Sequence, residues 1–113
     1  MTAYTAPGIP KLAPSYTNAK HIIKIVAAHF GTKSFFTEEN IKRRNRKREV
    51  VLTRQISMML IRKNTQLSLK CIGEIFGKDH TTVIHSLATI NDQRETNPEL
   101  EQQIIFINNQ LNS

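Results

Sequence analysis

SLKCIGEIFGKDHTTVIHS, residues 68–86, is the stretch of sequence that decides the fold. Ser68 belongs to the residue types that cap helices, and the apolar residues after it recur at helical spacing until Gly77, a natural helix stop. Asp79 can cap a second helix directly afterwards. Two short helices joined by a tight turn are the pattern of a helix-turn-helix, although a generic helical hairpin has the same periodicity. The side chains that the second helix exposes decide between the two.

Helical periodicity also runs through most of the remaining chain. We predict one helix from Thr17 or Asn18 to Gly31, a second over residues 50–63 and a last one from about Pro98 to Leu111. Thr37 opens a short helical turn, and no segment has the alternation of a strand. The fold class is therefore all-α, with one domain over residues 17–113. Residues 1–16 contain three prolines and a glycine and are expected to form an extended tail.

The apolar spacing also predicts which helix faces are buried. In the second helix the inner face is expected to consist of Leu52, Ile56, Met59 and Leu60, with the far side of the helix exposed. After Asp79, the residues expected to face inward are Val83, Ile84, Leu87 and Ile90. Those left to face outward are Thr81, Thr82, His85 and Thr89.

Positive charge is concentrated in the middle of the chain. Sixteen Lys and Arg against nine Asp and Glu give a formal net charge of +7, and residues 41–78 hold eleven bases and two acids. The run KRRNRKR, residues 42–48, has six bases in seven positions, and such repulsion favours a loop or a frayed helix end. The local field indicates a polyanionic partner, nucleic acid before an acidic membrane, although a merely solvated basic loop is the alternative.

Three other chemistries fit the motif poorly. A phosphate loop needs G-x-x-x-x-G-K-[ST], whereas Gly73 to Gly77 is one residue short and Asp79 stands where a hydroxyl is required. His80 and His85 are five apart, diverge on a helix and have no cysteine pair to complete a zinc site. Neighbouring helical positions cannot form a catalytic triad. We expect no enzyme, metal, cofactor or small-molecule substrate.

The sequence also bounds the compartment. The single cysteine, Cys71, excludes an internal disulfide and is expected to be a small buried residue. No apolar stretch approaches the length of a membrane span or resembles a signal peptide. A cytoplasmic, nucleoid-associated protein is expected.

Reading of DNA by the second helix fits the motif better. In the major groove a carboxylate accepts from cytosine N4, a threonine methyl or an imidazole touches the thymine methyl, and a hydroxyl bonds either partner. One helical turn supplies such groups as candidate base contacts: Lys78, Asp79, His80, Thr81 and Thr82. A plain N-cap role for Asp79 and a rim position for His85 are the alternatives.

These residues belong to a recognisable pattern. Residues 54–86, RQISMMLIRKNTQLSLKCIGEIFGKDHTTVIHS, contain R-Q-x-x-M-x-L, then S-L-x-x-I-G-x-x-F-G, then K-D-H-T-T-V-x-H. The stretch closely resembles the C-terminal DNA-binding domain of the bacterial replication initiator DnaA, and the similarity covers about residues 18–111. The resemblance implies an all-helical fold of the Trp repressor type, with a helix-turn-helix that binds short asymmetric DnaA boxes.

The resemblance also implies roles for single residues. Asp79, His80 and Thr81 match base-reading positions, and Lys78 stands where the family usually has arginine. Arg46 matches a minor-groove arginine, with Arg44 or Arg48 as alternatives if the loop is shifted. The residues expected to contact phosphates are Lys42, Arg43, Lys47, Arg54, Gln55, Ser68, Lys70 and His85.

The expected function is therefore that of a free-standing DnaA-box-like binder of double-stranded DNA. It would modulate replication initiation or transcription without ATPase activity, as a monomer on an asymmetric site. Two alternatives remain open. A sequence-tolerant nucleic-acid module, including one for RNA, would use the basic run alone, and a protein-interaction domain would use the acidic last helix.

Overall fold

Five α-helices and one short 3-10 helix make up the part of the chain that the structure describes. The computed structural model describes the backbone of residues 14–112 and the side chains of residues 17–112. The helices are α1 (Pro14–Phe30), α2 (Arg48–Asn64), α3 (Leu69–Phe76), α4 (His80–Thr96) and α5 (Pro98–Leu111), and the 3-10 helix (Lys33–Phe35) follows α1. Within these residues there is no strand, and the all-α fold class is confirmed. None of the described helices has the length and apolar character needed to cross a bilayer.

The first helix begins earlier than the sequence predicted, at Pro14 rather than at Thr17 or Asn18. Proline is tolerated in a first helical turn because an N–H there has no intrahelical acceptor in any case. Residues 14–16 therefore belong to α1 and not to the predicted tail, whose residues 1–13 lie outside the described part. The predicted stop is confirmed, since Gly31 adopts a left-handed conformation with φ +67°.

Helix α2 is the centre of the fold and is buried on more sides than predicted. Ile56 and Leu60 are buried as expected. The prediction of an exposed far side was wrong for the second half of the helix, where Met58 and Ile61 are fully buried. The reason is that α1, α3 and α4 all pack against α2, so that these neighbours cover more than one stripe.

Two buried threonines fasten the segment after α1 to α2. The hydroxyl oxygens of Thr32 and Thr53 are 2.9 Å apart, and Thr53 Oγ1 also donates to the carbonyl of Glu49 at 2.7 Å. Both threonines are buried, so each hydroxyl needs such a partner. The hydrogen bond between the two threonines fixes the position of Thr32, and with it the start of the 3-10 helix, relative to α2.

Helices α3 and α4 form the predicted helix-turn-helix. Ser68 Oγ accepts from the Cys71 amide at 3.1 Å, and Gly77 ends α3 with φ +67°. A Cβ on Gly73 would lie 2.4 Å from the carbonyl oxygen of Lys78. Glycine at position 73 therefore lets α3 approach the start of α4 closely.

The inward face of α4 differs from the prediction at one position. Val83 and Ile90 are fully buried and Leu87 is half-buried, whereas Ile84 is 47 % exposed. Adjacent helical residues point about 100° apart, so the contacts that bury Val83 turn Ile84 toward solvent. The residues predicted to face outward are all exposed: Thr81, Thr82, His85 and Thr89.

Helix α5 has the predicted bounds and is joined to α4 by a bidentate ion pair. Arg94 Nε and Nη2 donate to the two carboxylate oxygens of Glu101 at 2.6 and 3.1 Å. The bonds from Arg94 hold the pKa of Glu101 below its usual range. The buried face of α5 consists of Leu100, Ile104 and Ile107, as the four-three spacing predicted.

The contact between the helix-turn-helix and the basic segment can be tested with a matched pair of glycines. Gly77 and Gly31 both have φ +67°, so alanine at either position incurs a left-handed strain of about 1–2 kcal/mol. A Cβ on Gly77 would also lie 2.8 Å from Lys42 Cβ, whereas nothing lies within 4 Å of one on Gly31. Gly77→Ala should therefore lower the free energy of unfolding more than Gly31→Ala, measured by urea denaturation. Equal losses would show that Lys42 does not lie against Gly77.

Candidate nucleic-acid interface

The start of α4 holds its polar side chains in a fixed and exposed arrangement. Asp79 Oδ1 accepts from the Thr82 amide at 2.8 Å, which makes Asp79 the N-cap. This backbone hydrogen bond is the main reason why the pKa of Asp79 lies below its usual value. The carboxylate is therefore ionised at neutral pH and held at the helix start. The cap that the sequence allowed is present, and its contact with a base stays a prediction.

The exposed side of α4 continues beyond its first turn. His80, Thr81 and Thr82 are all exposed, and Lys78 is half-buried just before them. Helical positions three and four apart share a face, so one exposed row runs along the helix. We call it the α4 stripe, and it consists of Thr81, Ile84, His85 and Ala88. Of the predicted contacts, Thr81 and His85 therefore lie on the α4 stripe. His80 and Thr82 are exposed on either side of it, and Lys78 and Asp79 precede the helix.

The basic segment begins directly beside the turn of the helix-turn-helix. Lys42 lies so close to Gly77 that a Cβ on the glycine would overlap the lysine side chain. The preceding residues hold this segment against α3, since the Phe36 and Phe76 rings meet edge to face at 6.5 Å and Ile41 packs on the core. The fold therefore places Lys42, the first residue of the basic run, beside the turn that leads into α4, which periodicity alone could not establish.

Residues 42–47, the basic loop, precede α2 as the charge density predicted. The Asn45 side chain accepts from the Lys47 amide at 2.9 Å, and Lys47 Nζ lies 5.3 Å from the centroid of the Phe35 ring. The loop thus has a defined course. Its arginines extend into solvent at Arg43, Arg44 and Arg46, and Arg48 is exposed at the first residue of α2.

Arg54 has a structural contact that the sequence did not reveal. Its Nη2 donates to the carbonyl oxygen of Asn45 at 3.4 Å, which ties α2 to the basic loop. The residue is half-buried, burial lowers its pKa, and its Nε is buried without a hydrogen-bond partner among the described residues. Its predicted phosphate contact remains untested. Gln55 is half-buried beside it.

The remaining predicted phosphate contacts lie at the far end of α3. Ser68 and Lys70 are exposed there, and the Ser68 hydroxyl is engaged as the helix cap. They are separated from Gly77 by the whole length of α3. The exposed candidate contacts therefore form three groups: the basic loop with Arg48, the start of α3, and the first turns of α4, whereas Arg54 and Gln55 are half-buried on α2.

Among the described residues no group of three or more His, Cys, Asp or Glu is placed to hold a metal ion. Cys71 is half-buried rather than buried as predicted, because it lies on the side of α3 next to the N-cap and away from Ile72 and Phe76.

Comparisons with known proteins agree with this geometry. Residues 19–90 match the family described as the bacterial dnaA protein helix-turn-helix. The chain is 38 % identical over 90 residues to the chromosomal replication initiator protein DnaA of Deinococcus radiodurans, covering 80 % of this chain and 18 % of the relative. It is 42 % identical over 92 residues to the same protein of Crocosphaera subtropica, covering 80 % of this chain and 19 % of the relative. It is 38 % identical over 107 residues to the same protein of Synechocystis sp., covering 94 % of this chain and 22 % of the relative.

The chain thus spans about a fifth of the length of the curated relatives it matches. No solved structure matches it.

The capping role of Asp79 predicts a specific pH dependence of stability. Because the folded carboxyl has a lowered pKa, its contribution is fully present above the unfolded pKa of about 3.9 and is lost as the pH falls through the folded value. Asparagine caps equally well and does not titrate. Between about pH 5 and pH 2.5, the wild-type chain should lose more unfolding free energy than Asp79→Asn in urea denaturation.

Asp92→Asn, the same substitution at an exposed position far from the start of α4, is the matched control for the loss of one carboxyl group. If wild type and Asp79→Asn have identical pH profiles, the cap does not contribute as described.

Proposed function

This chain belongs to the bacterial DnaA helix-turn-helix family, and from that premise we propose that it binds DnaA-box-like sites in double-stranded DNA and thereby modulates replication initiation or transcription. Membership of the family implies DNA binding, and the matched domain is a DNA-binding unit rather than an enzyme. We propose further that binding by this domain needs no nucleotide. The observation that carries the proposal is the contact of Lys42, the first residue of the basic loop, with Gly77 in the turn before the exposed start of α4.

In the proposed complex the first turns of α4 enter the major groove. A recognition helix contacts base edges with its N-terminal residues, and the groove is wide enough for one helix. Thr81 and His80 are exposed there without any competing role in the core. Asp79 keeps one carboxylate oxygen on the Thr82 amide, so that its remaining lone pairs accept from cytosine N4 while the cap persists.

The basic loop contacts the DNA backbone and the minor groove next to the major groove that α4 enters. Lys42, Arg43 and Lys47 neutralise phosphates, and Arg46, Arg44 or Arg48 enters the narrow groove, where the negative potential is strongest. The contacts of Asn45 with Lys47 and Arg54 give the loop a defined course before DNA arrives. A loop already ordered in this way loses less conformational entropy on binding.

In this proposal α4, a helix, contacts the major groove, and the basic loop contacts the adjacent minor groove, so the two contacts follow each other in a fixed order along the DNA. One copy of the chain therefore suffices for a site without two-fold symmetry, in contrast to dimeric helix-turn-helix proteins, whose half-sites mirror protein symmetry. We propose a monomer on an asymmetric site.

The two other classes of function receive less support. Stacking of single-stranded bases needs exposed aromatic rings along the basic groove, whereas Phe35 and Phe36 beside the basic loop are half-buried. A protein-binding surface on α5 would use its acids, but Glu101 is already paired with Arg94. Both remain possible outcomes of a binding test.

Competition binding separates the three classes. Near 150 mM salt, a duplex carrying a DnaA box should compete better than a scrambled duplex of the same composition, or the corresponding RNA, by on the order of 10³-fold, the lower end for specific DNA binding. Fluorescence anisotropy with a labelled box duplex measures this. Equal competition by all three nucleic acids would contradict sequence-specific binding and favour a sequence-tolerant module.

Two exposed residues should behave differently when they are replaced. Thr81→Ala should cost about 1–3 kcal/mol of discrimination between the box and its variants at one base pair, because a base contact is lost. Arg43→Ala should weaken binding to all duplexes alike and reduce the salt slope by about one. Unchanged specificity of Thr81→Ala, measured over a set of single-base variants, would refute the assignment of Thr81 as a reader.

A further inference from the structure

We propose that Ile84 is a further specificity-determining residue, which packs against the C5-methyl group of a thymine in the major groove. The inference rests on the proposed DNA binding by α4 and names a base preference of that same site. It starts from the one position of α4 where the structure overturned the predicted burial, since Ile84 is 47 % exposed on the α4 stripe.

The inward side of α4 is complete without Ile84. Val83 and Ile90 are fully buried and Leu87 is half-buried, and their four-three spacing forms one continuous apolar row toward α2 and α3. Ile84 lies on the exposed α4 stripe next to Thr81 and His85, about 100° around the helix from Val83. Its side chain therefore contributes little to the core and presents an apolar surface among polar neighbours.

The position of Ile84 along the helix fits a second base contact. Three residues of α-helix rise about 4.5 Å, so Ile84 lies further along α4 than Thr81 on the same exposed stripe. When Thr81 contacts one base, Ile84 therefore faces a neighbouring base pair in the groove. Ala88, one helical turn further along the α4 stripe, is small and leaves room for close approach of the DNA.

The chemistry of the groove selects the base. The thymine methyl is the apolar group that base pairs present in the major groove, whereas the other edges carry hydrogen-bond donors and acceptors. An isoleucine against one of those edges removes water from it and offers no hydrogen bond in return, which is unfavourable. Ile84 should therefore favour thymine and disfavour cytosine at the same position.

The chain provides a matched control on another surface. The exposed large hydrophobic residues of the described part are Ile84, Ile105 and Phe106. Ile105 is 40 % exposed on α5, which belongs to neither the helix-turn-helix nor the basic loop. Ile105→Ala removes the same atoms as Ile84→Ala from a helix that the proposal leaves off the DNA.

The test replaces thymines by deoxyuridine, which removes the methyl group and keeps the base pairing. The full chain is first bound to the tightest duplex selected from a random pool, and each thymine is then replaced singly. Wild type and Ile105→Ala should lose affinity by about fourfold at one thymine, the loss expected for one buried methyl group. Ile84→Ala should bind the same duplex more weakly and be insensitive to that one replacement, while any sensitivity due to other residues remains.

The outcomes separate the inference from the proposed function. Specific binding with the same deoxyuridine profile for wild type and Ile84→Ala would overturn the role of Ile84 and leave DNA reading by α4 intact. The same holds if no thymine replacement affects wild type. If no duplex is preferred over the unselected pool, specific DNA binding itself fails and the inference fails with it.

Discussion

The close approach of Lys42 to Gly77 is the contact on which the arrangement of the surface depends. Gly77 ends α3 in a left-handed conformation, and its missing side chain leaves the space that Lys42 occupies. One residue therefore ends the first helix of the motif, permits the turn into α4 and seats the basic loop next to that turn. Together with the contact between the Phe36 and Phe76 rings, it holds the start of the basic loop at a fixed distance from the start of α4.

Two residues of α2 help to hold the basic loop and the segment after α1 in place next to the contact between Lys42 and Gly77. Thr53 is bonded to Thr32 in the core, and Arg54, the next residue, reaches the carbonyl of Asn45 in the basic loop. Partial burial lowers the pKa of Arg54, and its Nε is buried without a hydrogen-bond partner among the described residues. Helix α2 thus contributes to the core through its contacts with α1, α3 and α4 and also holds the basic loop through Arg54.

Much of this fold was predictable from local chemistry, because caps, glycine stops and four-three spacings act over a few residues. Ser68, Gly77, Asp79 and the bounds of α5 were predicted in this way and are confirmed. The burial of Met58 and the exposure of Ile84 were not predictable in this way, since they depend on which distant helices pack on each side. One signal was present for Ile84, because positions 83, 87 and 90 complete an inward row without it. The hydrogen bond from Arg54 to the carbonyl oxygen of Asn45 could not be predicted, because no sequence pattern indicates it. The roles of the candidate site residues in DNA binding remain predictions.

If α4 and the basic loop act as one DNA-binding surface, amide chemical shifts measured during titration with a box-containing duplex will show it most directly. The amides of residues 42–48 and 78–85 should shift together, with one binding constant, while those of residues 99–111 of α5 stay unchanged. Shifts confined to residues 42–48, or strongest in α5, would contradict it.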